Sequence, residues 1–350
     1  MSKVPENLKD SKLSQYLVAN GYSRIHQGKV RDTYLIPGNS KKLLVVATDR
    51  ISIFDFVLNA LVPKKGEVLT ALTHFWMMNE LSEFENHLVT SSYSNFFNSA
   101  YDLREELLPE LELERCLIVK NMKDKLYPFE MIFRHHIGGS VFKKYQETGM
   151  AGGHELPKGL PKWSKLKTPI FTPSTKEEVG HDVNVDANYF FEEMTNKGLG
   201  EEAKKVVEII TKIYEKAYAF AEESGILIID TKLEVAGKTI VDEILTPDSS
   251  RFTLKKDWEK AMKEGRDPQF LDKQPVRDWG STVETPFYKD GNQIIGINKL
   301  DPENPEHVNF VHNLIVPEKV INDTTKRYLN LFETITGVRL NEYQEIEMGV

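Results

Sequence analysis

The stretch at residues 228–252, "IIDTKLEVAGKTIVDEILTPDSSRF", constrains this chain more than any other. Two aliphatic runs flank a small Ala236-Gly237 pair, which is the pattern of two antiparallel strands joined by a tight turn. Side chains alternate along a strand, so Asp230, Lys232 and Glu234 share one face. Ile229, Thr231, Leu233 and Val235 line the other, mostly apolar face. Such a strand directs its charged face into a cleft. Register decides which acid of the second run joins it. A two-residue turn brings Glu243; a three-residue turn with a bulge brings Asp242. The residues alone leave both open. Carboxylates at this density suit Mg²⁺, which takes one or two of them and fills its shell with water and phosphate oxygens. Lys232 would then lie beside the same phosphates. The competing reading is a solvated, salt-bridged sheet face.

The residues just beyond the hairpin favour anion chemistry. "TPDSSR" combines a turn, Ser249, Ser250 and Arg251, as an anion cradle does, although Ser and Asp also serve as ordinary helix caps. "GKVRD" (28–32) opens a strand with Gly28, Lys29 and Arg31, where a glycine lets backbone approach phosphate closely. "TDRISIFD" (48–55) gathers Asp49, Arg50, Ser52 and Asp55. "FRHHIGGS" (133–140) puts Arg134 at a strand end and Ser140 in a glycine turn. His135 and His136 are adjacent on a strand and lack metal-ligand spacing, so a zinc site is not expected. Lys176 and Asp182 lie on a further polar loop, and Lys273 and Arg277 on another. The bland alternative for each is a solvated loop.

The pattern outside these clusters predicts strands at 29–36, 42–48, 115–120 and 129–134, and helices at 68–86, 202–223, 254–264 and 318–336. Residues 149–175, rich in Gly, Pro and Thr, read as a long functional loop. Strands come early and helices late, so the class is α+β with two lobes. The chain has 350 residues, 40% of them hydrophobic and 28% charged, which fits a globular protein. No apolar run nears the roughly 20 residues of a membrane span, and the N-terminus lacks a signal-peptide core. One cysteine fits a reducing, cytoplasmic setting. The formal charge of −8 argues against a nucleic-acid partner but not against anionic small molecules held by a local basic cluster.

The ordered blocks "GKVRD", "TDRISIFD", "PKKGEVLTALTHFW", "RHHIGGS", "IFTPSTKEEVGHD", "DTKLE", "DEILTPDSSR" and "DKQPVRDW" resemble the phosphoribosylaminoimidazole-succinocarboxamide synthase (SAICAR synthetase) family of purine biosynthesis over roughly residues 20–280. The resemblance implies a two-lobed α+β fold distantly similar to ATP-grasp enzymes and protein kinases. It implies an ATP- and Mg²⁺-dependent ligase joining L-aspartate to carboxyaminoimidazole ribotide. The expected partition is an N-terminal β-rich lobe at 1–125, a central ATP and substrate lobe at 126–280, and a C-terminal helical segment at 281–350 with an insertion at 282–312.

By the same resemblance, Glu234 and Asp242 would hold the metal, which favours the three-residue turn. Lys232 would approach the phosphates, and Asp230 would orient it or help hold the metal. Gly28, Lys29, Val30 and Arg31 would cover the phosphates, with Lys120, Glu130, Met131 and Lys176 also on the nucleotide. Arg134, Ser140, Asp182, Ser249, Arg251, Lys273 and Arg277 would hold the ribotide. The partners implied are small molecules, without nucleic acid or membrane, for a monomer or small homo-oligomer. The segment "PKKGE" departs from the family's "PGKGE". A metabolite kinase and a nucleotide-sensing binding protein are the rival readings.

Overall fold

The structure, a computed structural model, describes residues 4–91, 112–176 and 183–350. The chain forms two compact units, each assembled from separate stretches of sequence. The first comprises residues 1–74, 88–121 and 272–350; the second comprises 75–87 and 122–271. Among the described residues no helix is long and apolar enough to cross a membrane.

The first unit contains a five-stranded antiparallel sheet in the order Ser23–Gln27, Arg31–Ile36, Asn39–Ala47, Cys116–Lys120 and Leu88–Thr90. Tyr34, Leu44, Val46, Cys116 and Ile118 point from it onto Leu13 and Leu17 of the helix Lys12–Ala19. Ser11 caps that helix, its hydroxyl accepting from the Ser14 N–H at 3.1 Å. A separate hairpin, Arg50–Ile53 with Phe56–Leu61, packs Ile51, Ile53, Phe56 and Leu58 against Val276, Ile297, Val311 and Val316.

The C-terminal residues therefore build the first unit's core instead of forming the separate segment expected at 281–350. Nor is the stretch at 282–312 only helical. It carries the hairpin Glu284–Lys289 with Asn292–Ile295, then the helix Pro305–His312. The helix expected at 68–86 starts earlier and ends earlier, as Lys65–His74 continued by the π-helical stretch Phe75–Glu80. Lys64, at the second position of "PKKGE", adopts φ 67°, the left-handed backbone that suits the family's glycine.

The second unit is built on the long strand Ile226–Ala236. Phe129–His136 pairs with it on one side, flanked by Lys165–Phe171 and Ser174–Thr175. Its other side is shared between Ser250–Leu254 near its start and Thr239–Val241 near its end. The helix Gly200–Glu223 lays Ala203, Val206, Ile210, Ile213, Tyr214 and Ala217 inward, and the Tyr214 hydroxyl donates to the Ile228 carbonyl at 2.7 Å. The stretch expected as a loop at 149–175 thus contributes an edge strand, Lys165–Phe171. Pro169 and a register shift between Lys165 and Ile170 hide its alternation, and proline is tolerated on an edge.

Candidate active site

The charged face of the long strand is organised in rows across the second unit's sheet. Asp230 lies opposite Arg134 on one neighbouring strand and opposite Arg251 on the other. The register alone therefore sets one carboxylate between two guanidinium groups. Arg134 Nη1 and Arg251 Nη2 both donate to Asp230 Oδ2, and Arg251 Nε donates to Oδ1 at 2.9 Å. Arg134 Nε donates to Thr172 Oγ1 at 2.8 Å. Burial lowers the pKa of Arg134, with Asp230 opposing that shift. Two positive charges balanced by one negative charge leave this row net positive, which suits an anionic ligand. The Asp230 carboxylate binds the two arginines because its cross-strand neighbours at that level are arginines.

Two residues further along, Lys232 Nζ donates to Glu130 Oε1 at 2.6 Å, and Ser174 Oγ donates to Glu130 Oε2 at 3.0 Å. Burial pulls the Lys232 pKa down, but Glu130, Glu234 and Glu243 outweigh it and hold the ammonium above an ordinary lysine. Its side chain is still 43% exposed, so this is a reachable cation rather than a core charge. Lys176 forms an ion pair with Glu234. The two lysines and two of the carboxylates expected here thus meet as pairs.

The hairpin turn has two residues, Gly237 and Lys238, with Ala236 opposite Thr239 and Glu234 opposite Val241. The three-residue turn favoured by the resemblance is not formed. Gly237 at φ 59° supplies the positive φ that a two-residue turn needs at its first position. By parity Glu243 belongs to the Lys232 face; its carboxylate accepts from Thr246 Oγ1 at 2.7 Å. Alternation ends at Val241, however, because Asp242 is left-handed at φ 62°. Register therefore no longer dictates which way Asp242 faces. Among the described residues no three His, Cys, Asp or Glu side chains form a ready metal cage.

The other expected residues are divided between the two units. Met131 is fully buried opposite Leu233. Ser249 closes the turn after the hairpin, its hydroxyl accepting from the Thr246 N–H at 3.2 Å and its carbonyl accepting from the Lys232 N–H at 2.9 Å. Ser140 opens the helix Ser140–Thr148, but its side chain, like Asp182, lies outside the described residues. Gly28, Lys29, Val30, Arg31, Lys120, Lys273 and Arg277 belong to the first unit. Arg277 Nη1 donates to Asp272 Oδ2 at 2.9 Å, and Lys273 precedes the helix Gln274–Thr282.

Arg50 has a role in the first unit that its place in "TDRISIFD" does not reveal. It is buried, donates from Nε to the Lys29 carbonyl at 3.2 Å and from Nη2 to the Gly28 carbonyl at 3.1 Å, and also pairs with Asp32. It fixes the "GKVRD" turn from behind. Lys29 itself pairs with Asp55. Asp55 sits with Phe54 in a two-residue turn, at φ 67° and 50°, between the paired Ile53 and Phe56. A Phe-Asp pair lacks the Asn-Gly signature of such turns, so no residue pattern announces this geometry.

Comparison with known proteins adds an independent line. Residues 24–294 match the SAICAR synthetase family. The phosphoribosylaminoimidazole-succinocarboxamide synthase of Thermodesulfovibrio yellowstonii is 40% identical over 325 residues, covering 91% of this chain and 96% of the relative. That of Schizosaccharomyces pombe is 36% identical over 328 residues, covering 90% and 95%. The Saccharomyces cerevisiae SAICAR synthase solved with SAICAR superposes with a TM-score of 0.71 at 32% identity, covering 91% of this chain and 96% of that one.

Proposed function

The chain belongs to the SAICAR synthetase family, and from that premise we propose that the second unit's charged rows bind and activate carboxyaminoimidazole ribotide for amide formation with L-aspartate. The reaction is an ATP-dependent ligation of purine biosynthesis that yields SAICAR. The observation that carries the assignment of residues is the row Arg134, Asp230, Arg251 lying beside the cluster Glu130, Lys232, Glu234 on one sheet face.

Arg134 and Arg251 grip the ribotide phosphate, and Asp230 holds the two guanidinium groups in register. Ser140, Ser249 and Asp182 complete the second unit's ribotide contacts. Lys232 and Lys176 receive the nucleotide's phosphates, trading their carboxylate partners for phosphate oxygens. Glu130 and Met131 border the base. Glu234 and Asp242 hold Mg²⁺. This donor set fits, because Mg²⁺ needs only one or two protein carboxylates when phosphate supplies the remainder. When bound, the ion neutralises charge building on the transferred phosphoryl group.

A carboxylate is a poor electrophile, so phosphorylation to an acyl phosphate precedes attack by the L-aspartate amine. The test is a coupled assay for ADP release with and without L-aspartate and the ribotide. ADP release should require the ribotide, and C–N bond formation should require both. Turnover of ATP onto a hydroxyl acceptor without L-aspartate would convert the reading to a kinase. Ribotide labelled with ¹⁸O in its carboxylate should pass one labelled oxygen to phosphate in each turnover; unlabelled phosphate, after exchange controls, would refute the acyl phosphate.

A further inference from the structure

Trp163 has a backbone conformation that large aromatic residues avoid. Its φ is 68°, where a bulky side chain is an outlier. The surroundings force it there. Its N–H donates to the Ile137 carbonyl at 2.7 Å. Its carbonyl accepts from Trp258 Nε1 at 2.9 Å and lies 3.2 Å from His136 Nδ1. Its indole N–H donates to Asp267 Oδ1 at 2.8 Å. The ring lies against Gly138, where any Cβ would collide with it. Strain held by this many contacts marks a side chain kept in place for a purpose.

What the ring faces supplies that purpose. The Arg251 guanidinium carbon lies 5.5 Å from the ring centroid, within cation–π range. From another direction a Cβ at Gly139 would come within 2.8 Å of Arg251 Nη1, so the glycine opens the space the guanidinium occupies. Asp230 binds Nε and Nη2. Arg251 is thus fixed by an aromatic face, a bare glycine and a carboxylate, with its Nη1 side turned from Asp230.

We propose that Trp163 is a positioning residue for Arg251, setting the guanidinium plane for a phosphate monoester and so contributing to ribotide affinity. The proposal rests on the reading that Arg251 holds the ribotide. Neither a polar network nor a helix end could replace the ring, since only a π face attracts the cation without competing for its N–H groups.

The test compares Trp163→Phe, Trp163→Leu, Asp267→Ala and Arg251→Ala in the full-length chain, with KM measured separately for the ribotide, ATP and L-aspartate. Trp163→Leu should raise the ribotide KM about tenfold, on the order of 1.4 kcal/mol. KM for ATP and L-aspartate should stay within about twofold. Trp163→Phe should recover most of the loss because it keeps a π face. Asp267→Ala, which frees the indole without emptying the core, should raise the ribotide KM by a few fold. In an Arg251→Ala background, Trp163→Leu should add nothing further, because its target is gone.

A ribotide KM unchanged in Trp163→Leu, with a large rise in Arg251→Ala, overturns the proposal and leaves the reading of Arg251 intact. Equal rises for all three substrates mean a purely structural role and also overturn it. If Trp163→Leu does not fold, Asp267→Ala decides: no change in ribotide KM refutes the proposal. An Arg251→Ala variant that raises KM for ATP alone refutes the underlying reading instead.

Discussion

Asp242 and Glu243 adjoin in sequence but differ in what the backbone asks of them. Glu243 is buried, bonded to Thr246, and among the carboxylates that raise the Lys232 pKa. Asp242 occupies a left-handed position just beyond the strand. If Glu234 and Asp242 hold the metal, Glu234→Gln and Asp242→Asn each lower kcat by more than about a hundredfold, or ~2.7 kcal/mol. Glu243→Gln should cost less, because an amide oxygen still accepts from Thr246. Turnover at saturating Mg²⁺ ranks the three; Glu243→Gln as the most damaging would move the metal to Glu243. Strand alternation is enough to show that acids converge on the Lys232 face. It cannot separate Asp242 from Glu243, because a single positive φ cancels it.

Histidines supply a second prediction at this scale. Burial holds His74 and His136 neutral, with pKa values of about 4 against an ordinary 6.5. The unfolded chain takes up these protons first, so stability is full above about pH 6.5 and falls as the pH drops toward 4. Each ring contributes on the order of 3 kcal/mol to that loss at most. Urea unfolding between pH 7.5 and 4.5 measures it. A flat profile would mean that the rings are hydrated in the folded state.

At the scale of elements, close approach matters as much as pattern. Gly66, the second residue of the helix Lys65–His74, lies directly against the end of the strand Asn39–Ala47, where a Cβ would strike the Ala47 carbonyl. Its N–H also donates to Asp49 Oδ1 at 2.8 Å. The obstructing atoms are backbone and cannot rotate away. Gly66→Ala should therefore lower the unfolding free energy by more than about 2 kcal/mol, readable from the urea midpoint. A neutral effect would show that the helix can slide on the sheet. The helix Glu318–Thr336 has the bounds its apolar periodicity predicts, and Gly200–Glu223 begins only two residues before the expected start, because each carries an apolar stripe along its length. Lys165–Phe171 and the hairpin Glu284–Lys289 with Asn292–Ile295 escape such a reading, since bulged edge strands and exposed hairpins bury too little to impose alternation.

At the scale of the whole molecule, sequence order and spatial grouping part company. A reading along the chain cuts it into consecutive lobes, because periodicity carries no information about which distant segments meet. The first unit instead joins residues from both ends of the chain. Phe332 is fully buried and packs edge-on to Tyr343, 5.5 Å between ring centroids, while Tyr343 shares a 2.9 Å hydrogen bond with His74. Leu331 and Ile335 extend the same buried stripe. Removing a buried phenyl ring costs about 3–5 kcal/mol. If the C-terminal helix is integral to this unit, Phe332→Ala destabilises strands some 300 residues earlier in sequence. Amide hydrogen exchange distinguishes the outcomes. Accelerated exchange in Arg31–Ile36 and Asn39–Ala47, together with Glu318–Thr336, is expected. Acceleration confined to residues 281–350 would mean that the C-terminal segment is an appendage that unfolds alone, and that the core of the first unit closes without it.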